Sequence, residues 1–348
     1  MQFKPQCLAT TIGSLPYTSE REACELVLRH TPAIPAWPQL PRRTFLENMY
    51  IQCAELLPGA ILGDGKIHVD TVRGAEESLE RLYGDYIDHN FGAYLPSPER
   101  ALGLQAMLER LDGKPPGLVA AKGQVTGPIS IGLQVTDQHL RPLLYDEVWA
   151  EAVAKHLHLV AAAMEAELAK RCPTTIVFLD EPYLHAYGSA LFSVSRDQVV
   201  GGLEEVFGGL HGLKGVHCCG NTDWGIVLST SVDILNLDAY RYAETLPLYP
   251  AEVRAFVDRG GIIAWGIVPD DGELLKGETV SSLTTKLLAA MELLVSRGIS
   301  RERLLAQSLI TPSCGLGGQS VETAEKALAL LAGVSAEMRN RFFAGREV

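Results

Sequence analysis

Short runs of consecutive apolar residues alternate with longer helical patterns along most of this chain. The runs lie at 7–12, 118–122, 175–179, 215–218, 233–237, 262–267 and 307–310. Several are apolar at successive positions instead of alternating, the pattern of parallel strands buried on both faces. The stretches between them carry helix starts and stops. Ser19 with Glu22, and Ser195 with Gln198, read as capping boxes. Ser97 before Pro98 marks a start and Gly113 a stop, around Leu102, Met107, Leu108 and Leu111. The longest predicted helix covers 146–171, rich in Ala and Leu with few breakers.

Repeated strand–helix units predict a parallel sheet, open or closed into a barrel. The seven runs supply seven strands, and 91–95 is the candidate eighth. A chain of 348 residues suits one α/β domain over 1–348, a (β/α)8 TIM barrel with insertions. Gly63-Asp64-Gly65 between apolar runs predicts a small hairpin insertion at 59–70. The Pro-rich stretch 32–41 reads as an ordered loop.

Composition narrows the class. Hydrophobic residues make up 47% and charged residues 21%, as in a soluble protein with a large core. A net charge of -12 offers no basic field for phosphates, so nucleic acid is not an expected partner. No apolar run is long enough to span a membrane. Residues 1–5 lack the apolar core of a secretory signal, and the cytoplasm is the expected location. The seven cysteines are irregularly spaced. Most should be buried fillers, with a minority acting as ligands or nucleophiles.

The chemistry-bearing residues gather at the carboxyl ends of the predicted strands. These are Ser14, Asp180, Glu181, His217, Cys219, Asp238 and Cys314. In a strand–helix barrel those ends share one rim, where active sites sit. In an extended chain His217 and Cys219 point the same way and Cys218 the other way, so Cys218 is read as core. Cys314 sits in Thr311-Pro312-Ser313-Cys314-Gly315, where Pro and Gly impose an irregular turn. One imidazole and two thiolates make a partial shell suited to zinc, with a fourth position left open.

Five segments together resemble the catalytic domain of cobalamin-independent methionine synthase. They are Thr10-Thr11-Ile12-Gly13-Ser14-Leu15-Pro16, Gly123-Gln124-Val125-Thr126-Gly127-Pro128, Leu179-Asp180-Glu181-Pro182, His217-Cys218-Cys219 and Thr311-Pro312-Ser313-Cys314-Gly315-Leu316. The superfamily also holds uroporphyrinogen decarboxylase and methylcorrinoid:thiol methyltransferases. The resemblance implies a (β/α)8 barrel, a catalytic zinc and a thiol methyl acceptor, typically homocysteine. His217, Cys219 and Cys314 match the family's zinc ligands. Asp238 stands where the family places a Glu as fourth contact, with Glu244 a weaker substitute. Asp180 matches the carboxylate that meets the substrate amino group. Ile12 and Ser14 match the turn holding its amino-acid end; Gln124, expected at the rim, is a further candidate for substrate binding. The N-terminal half that helps bind folate has no counterpart here, and Val268-Pro269 replace the family's catalytic His. Both departures favour a methylcorrinoid over methyltetrahydrofolate as donor.

Two other classes compete: a uroporphyrinogen-type decarboxylase using Arg42 and Arg43 for substrate carboxylates, and a corrinoid or thiol carrier without catalysis. His185 is a further candidate for the site. His156 and His158, two apart on a helix, do not share a face and read as surface or packing residues. Trp224 and Trp265 read as core.

Overall fold

The computed structural model describes residues 3–63, 65–189 and 193–344. Its strands are β1 (Leu8–Ala9), β2 (Ala60–Gly63), β3 (Lys66–Val69), β4 (Ala121–Thr126), β5 (Thr136–Asp137), β6 (Thr175–Asp180), β7 (Leu213–Cys218), β8 (Ile234–Leu237), β9 (Ile262–Val268) and β10 (Ser308–Pro312). Each of the seven apolar runs contains or overlaps a strand. These seven form one parallel sheet in the order β1-β10-β9-β8-β7-β6-β4.

The sheet is curled, and its side chains show how. Leu8, Ile176, Phe178, Ile234, Ile262, Ala264 and Leu309 come from five of its seven strands, yet pack in one buried cluster with Ile34. Alternate positions, such as Val177, Leu179, Leu235 and Trp265, face the helices in the larger core. Burial on both faces explains why the runs are continuously apolar. Gly215 serves this curl, because a Cβ there would lie 2.0 Å from the Phe178 ring.

The two edge strands are joined through the segment 33–39. Trp37 N–H donates to Lys122 O on β4, and Lys122 N–H donates to Pro35 O (3.3 and 3.0 Å). On the other side Gln39 N–H reaches Gly13 O, and Leu15 N–H reaches Gln39 O (3.2 and 2.9 Å). Pro35 and Pro38 have no N–H to give, so the pairing is reduced to isolated bridges. The stretch read as a loop thus runs where a strand would.

The expected eighth strand at 91–95 is a correction. It forms a 3-10 turn, Gly92–Tyr94. Tyr94 is buried there, with its hydroxyl on Asp85 Oδ2 (3.0 Å) and its ring edge-on to His156. These tertiary anchors outweigh the strand preference of its aromatics. Ser97-Pro98 forms a turn, and the helix begins later, at Leu102–Asp112. It stops at Gly113 as expected. Ser195 and Gln198 form both halves of a capping box, and Ser19 caps its helix through Glu22 N–H. The long helix is Glu147–Ala169, capped by Asp146. The insertion is a hairpin of β2 and β3, extended by β5 into a small three-stranded sheet. Among the described residues no helix is long and apolar enough to cross a membrane.

Candidate metal centre and substrate cavity

β7 ends at Cys218, so His217 lies on its last turn of pleat and Cys219 just beyond it. Cys218 points away and is fully buried, its Sγ–H on Gly220 O (3.5 Å). Cys314 follows β10, which leaves the sheet through a register shift between Thr311 and Pro312. Gly266 on β9 permits this departure, because a Cβ there would lie 2.9 Å from Ser313 Cα. On the far side, Ser14 O accepts from Leu316 N–H (2.9 Å) and Ser14 Oγ from Gly317 N–H (3.2 Å). The result brings His217, Cys219 and Cys314 together, with one donor atom of each lying within 4.8 Å of the others. A tetrahedral zinc site has ligand atoms about 3.5–3.8 Å apart, given bonds of about 2.0–2.3 Å. The three side chains are therefore close enough to hold a metal ion.

The imidazole is held in one orientation. His217 Nδ1 lies 2.5 Å from Asn236 Oδ1 on β8. Asn236 Nδ2 donates to Ala264 O (2.8 Å) and Thr311 Oγ1 (2.7 Å), which fixes the amide the right way round. Nδ1 must then carry a proton, so Nε2 is the nitrogen available to the cluster, and in the neutral ring it holds the lone pair. Asn236 is fully buried and sequence reasoning missed it. The available signal was a lone amide in the otherwise apolar strand β8.

The cluster forms one side of a cavity of about 230 Å³. Ile12, Ser14 and Asp180 also line it. So do Gln39, Pro41, Glu47, Asn48 and Met49, none of which the motifs singled out. This wall is built by the end of segment 33–39 and the chain that follows it. Asn48 caps the short helix Met49–Gln52, Met49 O accepts from Thr126 Oγ1, and Glu47 Oε2 accepts from Leu40 N–H. Gln124 does not reach the cavity wall. It is fully buried, donates to Trp37 O (3.0 Å) and accepts from Lys122 Nζ (3.4 Å).

Charges in the site are strongly coupled. Asp180 Oδ1 is buried without a hydrogen-bond partner. Burial pushes its carboxyl up to about 6, against the pull of His217 and Lys122. The Cys314 hydrogen bond and His217 hold the Cys219 thiol well below its ordinary range. Burial alone would lower His217; its bond to Cys219 and the charge of Asp180 raise it instead. Lys122 is fully buried beneath, held by Ile12 O (2.8 Å) and lowered to about 8 by desolvation.

Other candidates fall outside. Asp238 is absent from the three-residue cluster. Its Oδ1 caps Arg241 N–H and its Oδ2 accepts from Arg241 Nη1 (2.9 and 2.8 Å). Glu244 lies in the 3-10 turn Ala243–Leu248. Glu181 clamps the helix Pro128–Gln134, accepting from Ile129 N–H, Ser130 N–H and Ser130 Oγ–H. His185 is bonded to Pro182 O, and His156 and His158 are buried packing residues. Trp224 and Trp265 are core, each with its indole N–H satisfied.

No protein-family model and no curated protein sequence matches this chain. Solved structures do. A B12-independent methionine synthase from Shewanella sp. W3-18-1, in complex with selenomethionine, is similar with a TM-score of 0.60 at 15% identity. The match covers 97% of this chain and 99% of that one. A methyltransferase from Methanosarcina mazei matches with a TM-score of 0.52 at 12% identity, over 95% and 94% of the two chains. Likeness at such identities establishes a shared fold; the position of the cluster at the carboxyl ends of the strands is a feature of this chain's own geometry.

Proposed function

We propose that this protein is a zinc-dependent S-methyltransferase of the methionine synthase type. Its acceptor is homocysteine, and a methylcorrinoid is favoured over methyltetrahydrofolate as donor. The 348 residues act as one catalytic (β/α)8 unit, with segment 33–39 as the irregular eighth stave. Seven free thiols suit the reducing cytoplasm. The observation that carries the reading is the convergence of His217, Cys219 and Cys314 on a cavity that also contains an unpartnered buried carboxylate, Asp180.

Zinc held by these three residues supplies one thing: it keeps an incoming thiol deprotonated and nucleophilic at neutral pH. The chain does the rest. Asn236 presents Nε2 of His217 to the ion. The Asp180 carboxylate, which lines the cavity and has an oxygen that nothing in the protein satisfies, accepts from the substrate ammonium. Ile12 and Ser14 line the side of the cavity that holds the amino-acid end. The apolar wall at Met49 and Pro41 limits water around the sulfur. The decarboxylase reading loses its cations: Arg42 is bonded to Gly317 O and Gly318 O, and Arg43 to Glu47 and Glu99 O.

Elemental analysis of the purified protein should find about one zinc per chain, lost in Cys219→Ala and Cys314→Ala. Wild-type protein incubated with homocysteine and methylcobalamin should yield methionine, and both variants should yield none. Full zinc retention by both variants would remove the metal reading. Methionine formed only from methyltetrahydrofolate would reverse the choice of donor.

A further inference from the structure

We propose that Arg241 is a positioning residue for the metal centre, and that Asp238 acts through it instead of binding the ion. This rests on the reading of Cys314 as a metal ligand. His217 and Cys219 stand at the end of β7, whereas Cys314 follows β10. Two strands, β8 and β9, separate them in the sheet. The third sulfur therefore stays near the other two ligands only if the rim across β8, β9 and β10 keeps its spacing.

One guanidinium spans that gap. Arg241 Nη1 donates to Asp238 Oδ2 after β8 (2.8 Å) and to Asp270 Oδ1 after β9 (2.8 Å). Asp270 Oδ1 also accepts from Ser313 Oγ–H (2.9 Å), and Asp270 N–H returns a bond to Ser313 Oγ (3.0 Å). Ser313 immediately precedes Cys314. Its N–H is bonded to Val268 O at the end of β9 (2.8 Å). Asp238 is 1% exposed and both its oxygens are occupied, so it is anchored as the fixed end of this lacing. From the opposite side Cys314 is held by Ser14 alone among these contacts, through residues 316 and 317. Cutting the lacing leaves Ser313 with its N–H bond to Val268 O as its remaining tie on this side among these contacts.

The test uses the full chain, zinc and cobalt. Zinc affinity is measured by competition with a chromophoric chelator for wild type, Arg241→Met, Ser313→Ala and Asp238→Asn. Ser313→Ala removes one hydroxyl and guards against a variant that simply fails to fold. Loss of a group that orients metal ligands typically weakens binding about tenfold or more, and that is expected for Arg241→Met and Ser313→Ala. In cobalt-loaded protein, the thiolate-to-cobalt absorption should fall in Arg241→Met as Cys314 loses its place. A purely structural role would lower the melting temperature without moving that band. Asp238→Asn should leave the ligand-field bands at their wild-type position, because no ligand has been changed. Tighter zinc binding by Arg241→Met, with shifted bands in Asp238→Asn, would show that Asp238 is a ligand and overturn the proposal. Wild-type affinity in both Arg241→Met and Ser313→Ala would also overturn it. A wild-type protein that takes up no zinc would instead defeat the metal reading itself, and this inference with it.

Discussion

Asp180 offers the sharpest test of the cavity. Its side chain lines the wall shared with the metal cluster, and its Oδ1 is buried without a partner. A hydrogen bond between charged groups contributes about 1.5–3 kcal/mol. At about 1.4 kcal/mol per tenfold, Asp180→Asn should weaken homocysteine binding roughly 10- to 150-fold. Weakening alone is ambiguous, because any damage to the cavity weakens binding. The informative comparison pairs homocysteine with 4-mercaptobutanoate, which lacks only the amino group. Wild type should prefer homocysteine by about that same factor, and Asp180→Asn should bind the two thiols nearly equally. Isothermal titration of zinc-loaded protein with each thiol gives the four affinities, and their coupling isolates the carboxylate–ammonium contact. An equal loss for both thiols would mean that Asp180 only supports the cavity's shape, and its substrate role would be withdrawn.

Three further outcomes are expected. Asn236→Leu should weaken zinc binding about 10- to 100-fold, since it frees the His217 ring and leaves Ala264 O and Thr311 Oγ1 without their donor; unchanged affinity by chelator competition would contradict this. A Cβ on Gly127 would lie 2.2 Å from Glu181 Oε1, so Gly127→Ala should destabilise by about 1–3 kcal/mol in denaturant unfolding. Gly202→Ala, where the nearest atom is 3.4 Å away, is the matched control and should be neutral or stabilising. Burial holds His156 down to about 4, below its ordinary 6.5. The folded state thus refuses a proton that the unfolded chain takes up, so stability should fall as pH drops from about 6.5 towards 4, by roughly 3 kcal/mol in all. His156→Gln should flatten that slope in pH-dependent melts, and an unaltered slope would place the acid sensitivity elsewhere.

The strands that carry the site were legible because burial on both faces writes itself as consecutive apolar residues. Strand-end chemistry was legible for the same reason: once β7 and β10 are located, His217, Cys219 and Cys314 fall on one rim. Segment 33–39 was not, because Pro32, Pro35, Pro38 and Pro41 erase the local strand signature while leaving enough N–H and C=O groups to bridge β1 and β4. Aromatic-rich 91–95 misled in the opposite direction, its preference overruled by the anchoring of Tyr94. Nothing local in the sequence reveals that Arg241, three positions on, bonds both oxygens of Asp238. Asn236 and the wall at 47–49 depend on which side chains meet across the fold, and a one-dimensional pattern records that weakly.

The loop after Cys314 is joined to Ser14 through Leu316 and Gly317, and β10 pairs with β1, so segments distant in sequence must meet before the cluster exists. Contacts between such distant positions form slowly. During synthesis, a nascent chain exposes His217 and Cys219 long before the third sulfur leaves the ribosome. A prematurely terminated product would hold two of the three donors and no pocket. Completion of the cluster therefore waits on β10, and a fragment that ends before it lacks the third donor.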